Sequence, residues 1–338
     1  MPRRPIMSRN LVIAGLGYAL PERIVGNDEV ASVIDTSDEF IRTRTGVLHR
    51  RYLAPDQQLA DLACPAAERA MADAGVTPAD IDLLIVNTLS PDHHDPSQAC
   101  YIQPRLGLRE IPCFDIRAQC SGGLYGIEIA RHFLASGLYR NVLLICAEAL
   151  SRRIDTSNAG RNLSILLSDG AAAMVLQGQA DATRGLVDLS LGADGTQFDL
   201  LQTEAPGARR PNFIDADDFA AGRHYFRMRG ADMFEDATRR IVDACRQMLD
   251  KHKLTLGDIG LVVPHQPNLR IIDAVIEQLG LPRERCMISV EHLGNMASAA
   301  FPVALALAHE QGRMRAGQLN LLVTYGAGAT WACALYRS

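Results

Sequence analysis

The stretch Ala79-Asp80-Ile81-Asp82-Leu83-Leu84-Ile85-Val86 returns in altered form as Gly257-Asp258-Ile259-Gly260-Leu261-Val262-Val263. Asp80 and Asp258 lie 178 residues apart. The same spacing of 178 links Asn141-Val142-Leu143-Leu144-Ile145 to Leu319-Asn320-Leu321-Leu322-Val323, and the run Cys120 to Ala130 to the run Ser298 to Ala308. Apolar strands resemble one another, so one echo carries little; three at a single offset mark an internal repeat. The chain reads as two copies of one α/β unit, residues 1–180 and 181–338, packed as pseudo-symmetric halves.

Leu83–Val86 and Val142–Cys146 are short, continuous apolar runs between helical stretches, the pattern of strands buried on both faces. Leu59, Leu62, Ala63, Ala66, Ala67, Ala70 and Met71 recur at helical spacing, and Gly75 follows as a stop. Pro65 predicts that this helix starts late or kinks. A later helix is expected over Phe234–Lys251, leading into a strand at Asp258–Val263. Thr203–Arg223 is rich in Pro, Gly, Asp and Arg and interrupts the pattern. It reads as an inserted loop of the kind that forms lids or pocket walls.

Composition narrows the function classes. The 338 residues carry 34 Lys and Arg against 39 Asp and Glu, a net charge of −5, which argues against nucleic acid as a partner. Hydrophobic residues at 48% and charged residues at 22% are ordinary globular usage and exclude disorder. None of the eight cysteines falls in a CxxC or CxxH pair, so neither a disulfide scaffold nor a metal site is expected. Arg3, Arg4 and Arg9 precede the apolar run Leu11–Leu20. Gly15 and Gly17 within it, and Pro21 after it, favour a first core strand over a signal peptide. No segment approaches the ~18 apolar residues of a membrane helix. The expectation is a soluble, cytoplasmic enzyme with reduced thiols.

Cys120 is the strongest chemical candidate. An expected strand, Cys113–Arg117, runs into Ala118-Gln119-Cys120-Ser121-Gly122-Gly123, and an apolar helix, Leu124–Ala135, follows at once. A thiol at a helix N-terminus feels unpaired N–H groups and the macrodipole, which predicts a lowered pKa and a nucleophile. The alternative is an inert buried cysteine before a glycine-containing helix. For the other seven cysteines, core packing is the default. His265 follows a strand in Pro264-His265-Gln266-Pro267-Asn268, and Asn295 precedes the helix that mirrors the Cys120 helix. The offset pairs Cys120 with Ser298 and Asn87 with His265, so equivalent strand ends converge on one crevice and bring Cys120, His265 and Asn295 within reach. The turn Tyr325-Gly326-Ala327-Gly328-Ala329 is a candidate backbone cradle for an oxyanion.

These residues resemble the thiolase superfamily, specifically its β-ketoacyl synthase III type. The resemblance runs along nearly the whole chain. It rests on Thr36–Ile41 with Arg44-Thr45-Gly46, on Asp169–Ala173, on His265–Ile271, and on Gly294-Asn295 through Pro302. It implies a five-layered α-β-α-β-α core, a homodimer, and a Cys–His–Asn triad at Cys120, His265 and Asn295. It also implies an oxyanion hole from the backbone of Cys120 and Ala327. Phe40, Arg44, Arg161, Asn268 and Arg270 become candidates for substrate and CoA binding. The implied reaction is decarboxylative condensation through an acyl-Cys intermediate, with CoA thioesters as substrates and no separate cofactor.

Asn87–Gln98, Arg117–Ser121, Gly160–Leu167 and Gly294–Ser298 resemble one branch more closely, the anthraniloyl-CoA-using ketosynthases of alkylquinolone biosynthesis. Fatty-acid-initiating members usually have Trp where Phe40 stands, often a bulky apolar residue where Asp95 stands, and in some cases docking lysines where Glu277 and Gln278 stand. These departures favour acyl-CoA (best match anthraniloyl-CoA) and malonyl-CoA over an acyl carrier protein. The alternatives are a 3-oxoacyl-ACP synthase III joining acetyl-CoA to malonyl-ACP, and an inactive partner subunit.

Overall fold

In the computed structural model, which describes residues 10–179 and 183–338, the opening stretch forms a strand, Leu83–Asn87, buried along its whole length. Its side chains alternate between two cores. Leu84 and Val86 pack with one outer helix layer, Leu83 and Ile85 with a central one. This two-sided burial is why the run is continuously apolar.

The first sheet holds β1 (Asn10–Ala19), β2 (Leu83–Asn87), β3 (Cys113–Ile116), β4 (Asn141–Ala149) and β5 (Asp169–Gln179), in the order β1-β5-β4-β2-β3. The second holds β6 (Gly185–Ala193), β7 (Ile259–Pro264), β8 (Leu319–Gly326) and β9 (Thr330–Arg337), in the order β7-β8-β9-β6. Helices α1 (Ala60–Asp73) and α2 (Gln98–Arg105) cover the outer face of the first sheet. Between the sheets lie α3 (Gly122–Ala135) and, from the second half, Ala300–Glu310; Leu124, Ile127, Phe301 and Leu305 interdigitate there. Gly230–His252 and Leu269–Leu279 cover the second sheet. The result is the expected α-β-α-β-α stack.

The repeat holds to the residue. Ile85 pairs with Leu144, and 178 positions on Val263 pairs with Leu322. The turns Pro78–Asp80 and Leu256–Asp258 carry the same capping box, from Thr77 and from Thr255. The turns Gln119–Ser121 and Ala297–Ala299 each begin on a non-glycine residue with positive φ, 50° at Gln119 and 42° at Ala297. Both halves therefore drive the chain through the same strained elbow before a central helix.

Two expectations need correction, and a third gains detail. Helix α1 starts at Ala60, before Pro65. The Asp92 carboxylate accepts the Leu59 and Ala60 amides at 2.7 and 3.0 Å and anchors the first turn there, so only the Asp61 carbonyl loses its helical donor. Not every spare cysteine is core: Cys100 is exposed and Cys113 half-buried, with their sulfurs 3.7 Å apart. The segment Thr203–Arg223, expected as an inserted loop, has order of its own. It contains a short helix, Ala216–Ala220, and the buried Asp218 carboxylate meets Arg210 at 2.6 Å and Arg223 at 3.0 Å. Its neck is zipped by Leu201–Gln202 against Arg227–Met228. Among the described residues no helix is long and apolar enough to cross a membrane.

Candidate active site

Cys120 sits in the first elbow, held from several sides. Asn87, at the end of β2, accepts the Ala118 amide at 3.3 Å and donates to the Gln119 carbonyl at 3.1 Å. A Cβ on Gly122 would lie 2.1 Å from the Asn87 side chain, so glycine is needed for this contact. A Cβ on Gly326 would come within 2.8 Å of the Cys120 amide, which shows how closely the turn after β8 approaches the sulfur-bearing residue.

The thiol does not have the lowered pKa expected from its place before a helix. Burial pushes it up to about 12, and the neighbouring Glu148 charge adds to the rise; only its own backbone N–H opposes. A helix terminus favours a thiolate when water or a ligand also reaches the sulfur, and here desolvation is the larger effect. His265 is 2% exposed, and burial pulls it down to about 3, so the ring is neutral at physiological pH. Among the described residues its buried Nδ1 has no hydrogen-bond partner, which leaves Nε2 for the cavity. The Asn295 side-chain oxygen accepts the Ala297 amide at 2.8 Å. That bond sets the amide orientation and frees Nδ2 as a donor.

Cys120, His265 and Asn295 line one cavity of about 960 Å³. Ala327 lines it as well, from the turn beside Cys120. Phe40, Arg44, Arg161 and Arg270 stand in the same wall. Arg161 and Arg44 close on the Phe40 ring, 4.9 and 5.7 Å from its centroid. Asn268 is already engaged: its oxygen caps a helix at the Arg270 amide (2.8 Å) and its nitrogen donates to the Arg44 carbonyl (3.3 Å). It braces the mouth more than it offers a free group. A second cavity of about 580 Å³ shares Cys120, Asn295 and Ala327 and runs under the 203–223 segment. Among the described residues no three His, Cys, Asp or Glu side chains gather as metal ligands.

The sequence reading missed Glu148 altogether and gave Ser298 no role. Ser298, the repeat mate of Cys120, donates to Glu148 and to the Asn87 carbonyl. Glu148 also accepts from Leu89 and Ser90, and burial raises its pKa to about 7. The offset of 178 pairs Asn87 with His265 and Glu148 with Gly326. The second elbow thus builds a buried polar brace where the first builds a reactive wall.

Paired halves in five layers are the architecture of thiolase-like condensing enzymes. Residues 114–195 match the 3-oxoacyl-[acyl-carrier-protein (ACP)] synthase III family and residues 249–338 its C-terminal counterpart. A beta-ketoacyl-[acyl-carrier-protein] synthase III of Symbiobacterium thermophilum is 42% identical over 97% of this chain and 98% of its own. The crystal structure of 3-oxoacyl-(acyl carrier protein) synthase III from Pseudomonas aeruginosa PAO1 superimposes with a TM-score of 0.87 at 37% identity, covering 97% of this chain and 98% of that one. The priming beta-ketosynthase of the R1128 polyketide pathway gives 0.89 at 34% identity, covering 100% and 99%. The chain belongs to the 3-oxoacyl-[acyl-carrier-protein] synthase III family and is an acyltransferase of the condensing type.

Proposed function

We propose that the protein joins an acyl-CoA primer to a malonyl thioester by decarboxylative Claisen condensation. The observation that carries this reading is the convergence of Cys120, His265 and Asn295 on one cavity. The Cys120 sulfur attacks the primer carbonyl; the C–S bond to CoA breaks, and the thiol proton leaves on CoA. Backbone N–H groups of Cys120 and Ala327 stabilise the oxyanion. The malonyl carbonyl then accepts from His265 Nε2–H and Asn295 Nδ2–H. Its carboxylate departs as carbon dioxide, the enolate attacks the acyl-Cys, and the C–S bond breaks to release Cys120 as a thiolate, which takes up a proton from water to restore the thiol. Neutral His265 suits a donor that must not itself titrate. Electrons balance within the thioesters, so this reading calls for no metal or redox cofactor.

Phe40 and Arg161 suit stacking on a CoA base, and Arg44 and Arg270 give the mouth a positive lining beside the carboxylate of Glu235, while Arg239 is paired with Asp236. That local charge, opposite in sign to the whole chain, suits an acidic carrier protein as well as CoA phosphates. The names of the relatives favour malonyl-ACP as extender and the start of fatty-acid synthesis; the anthraniloyl primer stands on the motif resemblance alone. Assembly as a homodimer stands on the family resemblance, and the free thiols among the described residues support a cytoplasmic setting. Intact-mass detection of an acyl adduct after exposure to acetyl-CoA, lost in Cys120→Ala, tests the reading; an adduct that persists in the variant would refute it.

A further inference from the structure

The smaller cavity has a charge that condensation chemistry does not require. Its wall includes Arg117, Arg153, His94 and His224, and no Asp or Glu. Arg153 is held most firmly. Its guanidinium lies 4.0 Å over the Phe226 ring. It donates to the Thr203 hydroxyl at 2.8 Å, the His224 carbonyl at 3.3 Å and the Leu89 carbonyl at 3.4 Å, all neutral acceptors. Among the described residues Arg153 forms no ion pair. Glu148 is close enough to be felt, yet it is bound by Leu89, Ser90 and Ser298 and does not line the cavity. Burial and the neighbouring Arg117 both destabilise the Arg153 charge. A cation kept in such a place with no carboxylate in direct contact, and only the more distant Glu148 to offset its burial, is held at a cost that an anionic ligand reduces. The space of about 580 Å³ also far exceeds what an acetyl group fills.

We propose that this cavity selects primers whose acyl chain ends in a carboxylate, the mono-CoA thioesters of short dicarboxylic acids, with Arg153 and Arg117 as the specificity residues. The inference rests on the condensing reading above. Only the thioester carbon reacts, forming the bond to Cys120 and releasing CoA, while the distal carboxylate is bound unchanged. A fork of N–H donors suits a carboxylate, and the Phe226 face holds the guanidinium in position for it.

The test is the rate of Cys120 labelling, followed by intact mass, with glutaryl-CoA against its neutral isostere 5-methylhexanoyl-CoA. A charge-assisted pair predicts a preference for glutaryl of about ten- to a hundredfold. Arg153→Gln should erase that preference, Arg153→Lys should keep part of it, and Arg117→Gln should weaken it. Equal rates in the wild type, faster labelling by the isostere or by anthraniloyl-CoA, or a preference that survives both glutamine variants would overturn the proposal. Since the wild-type comparison stands without any variant, a misfolded Arg153→Gln does not rescue the idea. If no thioester, acetyl-CoA included, labels Cys120, the condensing reading itself fails; if acetyl-CoA labels and glutaryl-CoA does not, only the cavity assignment fails.

Discussion

Glu148→Gln should stabilise the protein, and the gain should depend on pH in one direction only. Glu148 is fully buried, and burial raises its pKa from 4.5 to about 7. Between those values the unfolded chain releases the proton while the folded chain keeps it. Stability therefore falls as pH rises through this window, by about 1.4 kcal/mol per pH unit. The full penalty, on the order of 3 kcal/mol, is present above pH 7 and absent below pH 4.5. Glutamine removes the titration and keeps the Leu89 and Ser90 contacts, at the cost of the acceptor that the Ser298 backbone N–H uses. Its oxygen accepts from Leu89 and Ser90, and its amide donates to Ser298, whose hydroxyl is then free for the Asn87 carbonyl. Urea unfolding of both proteins from pH 5 to pH 8 reads the difference. The advantage of the variant should grow across the window and level off above pH 7. A constant difference, or one that grows toward acid, would refute the assignment of Glu148 as the buried titrating group. Removal of the charge should also speed alkylation of Cys120, whose thiol it holds up.

Alkylation of wild-type Cys120 by iodoacetamide should keep rising with pH beyond 9, because the thiol is pushed up to about 12; a plateau below pH 8 would contradict that. Asn295→Ala should leave acylation of Cys120 largely intact and slow condensation about 10²- to 10³-fold, since only the second step uses its Nδ2 as a carbonyl donor. Equal loss in both steps, measured by single-turnover mass spectrometry and product formation, would point to a structural role. Gly326→Ala should cost about 1–3 kcal/mol and slow acylation, because the added methyl meets the Cys120 amide at 2.8 Å. A variant with wild-type unfolding and labelling would show that the turn gives way.

What the sequence disclosed, and what it did not, follows from the range of the interactions. Strands β2 and β4 were readable because burial on both faces leaves an unbroken apolar run. The two elbows were readable through the offset, which a local pattern repeated 178 residues later makes visible. The raised thiol of Cys120 was not, because helix position is local and desolvation is not. Glu148 looks like any carboxylate after a strand; its burial comes from Ser298, 150 residues away. The early start of α1 depends on Asp92, 32 residues beyond Ala60. The order within Thr203–Arg223 comes from Asp218 drawing in two arginines, where composition shows only mixed charge.

The zipped neck of that segment has a practical consequence. Leu201 and Met228 stand opposite each other, so everything between them leaves and rejoins the body at one place. Its internal ion cluster travels with it. Transplanting the whole piece between relatives would exchange one wall of the smaller cavity while the residues around Cys120, His265 and Asn295 keep their own supports. The fold therefore lets evolution or an engineer change the shape of that wall without rebuilding the residues around Cys120.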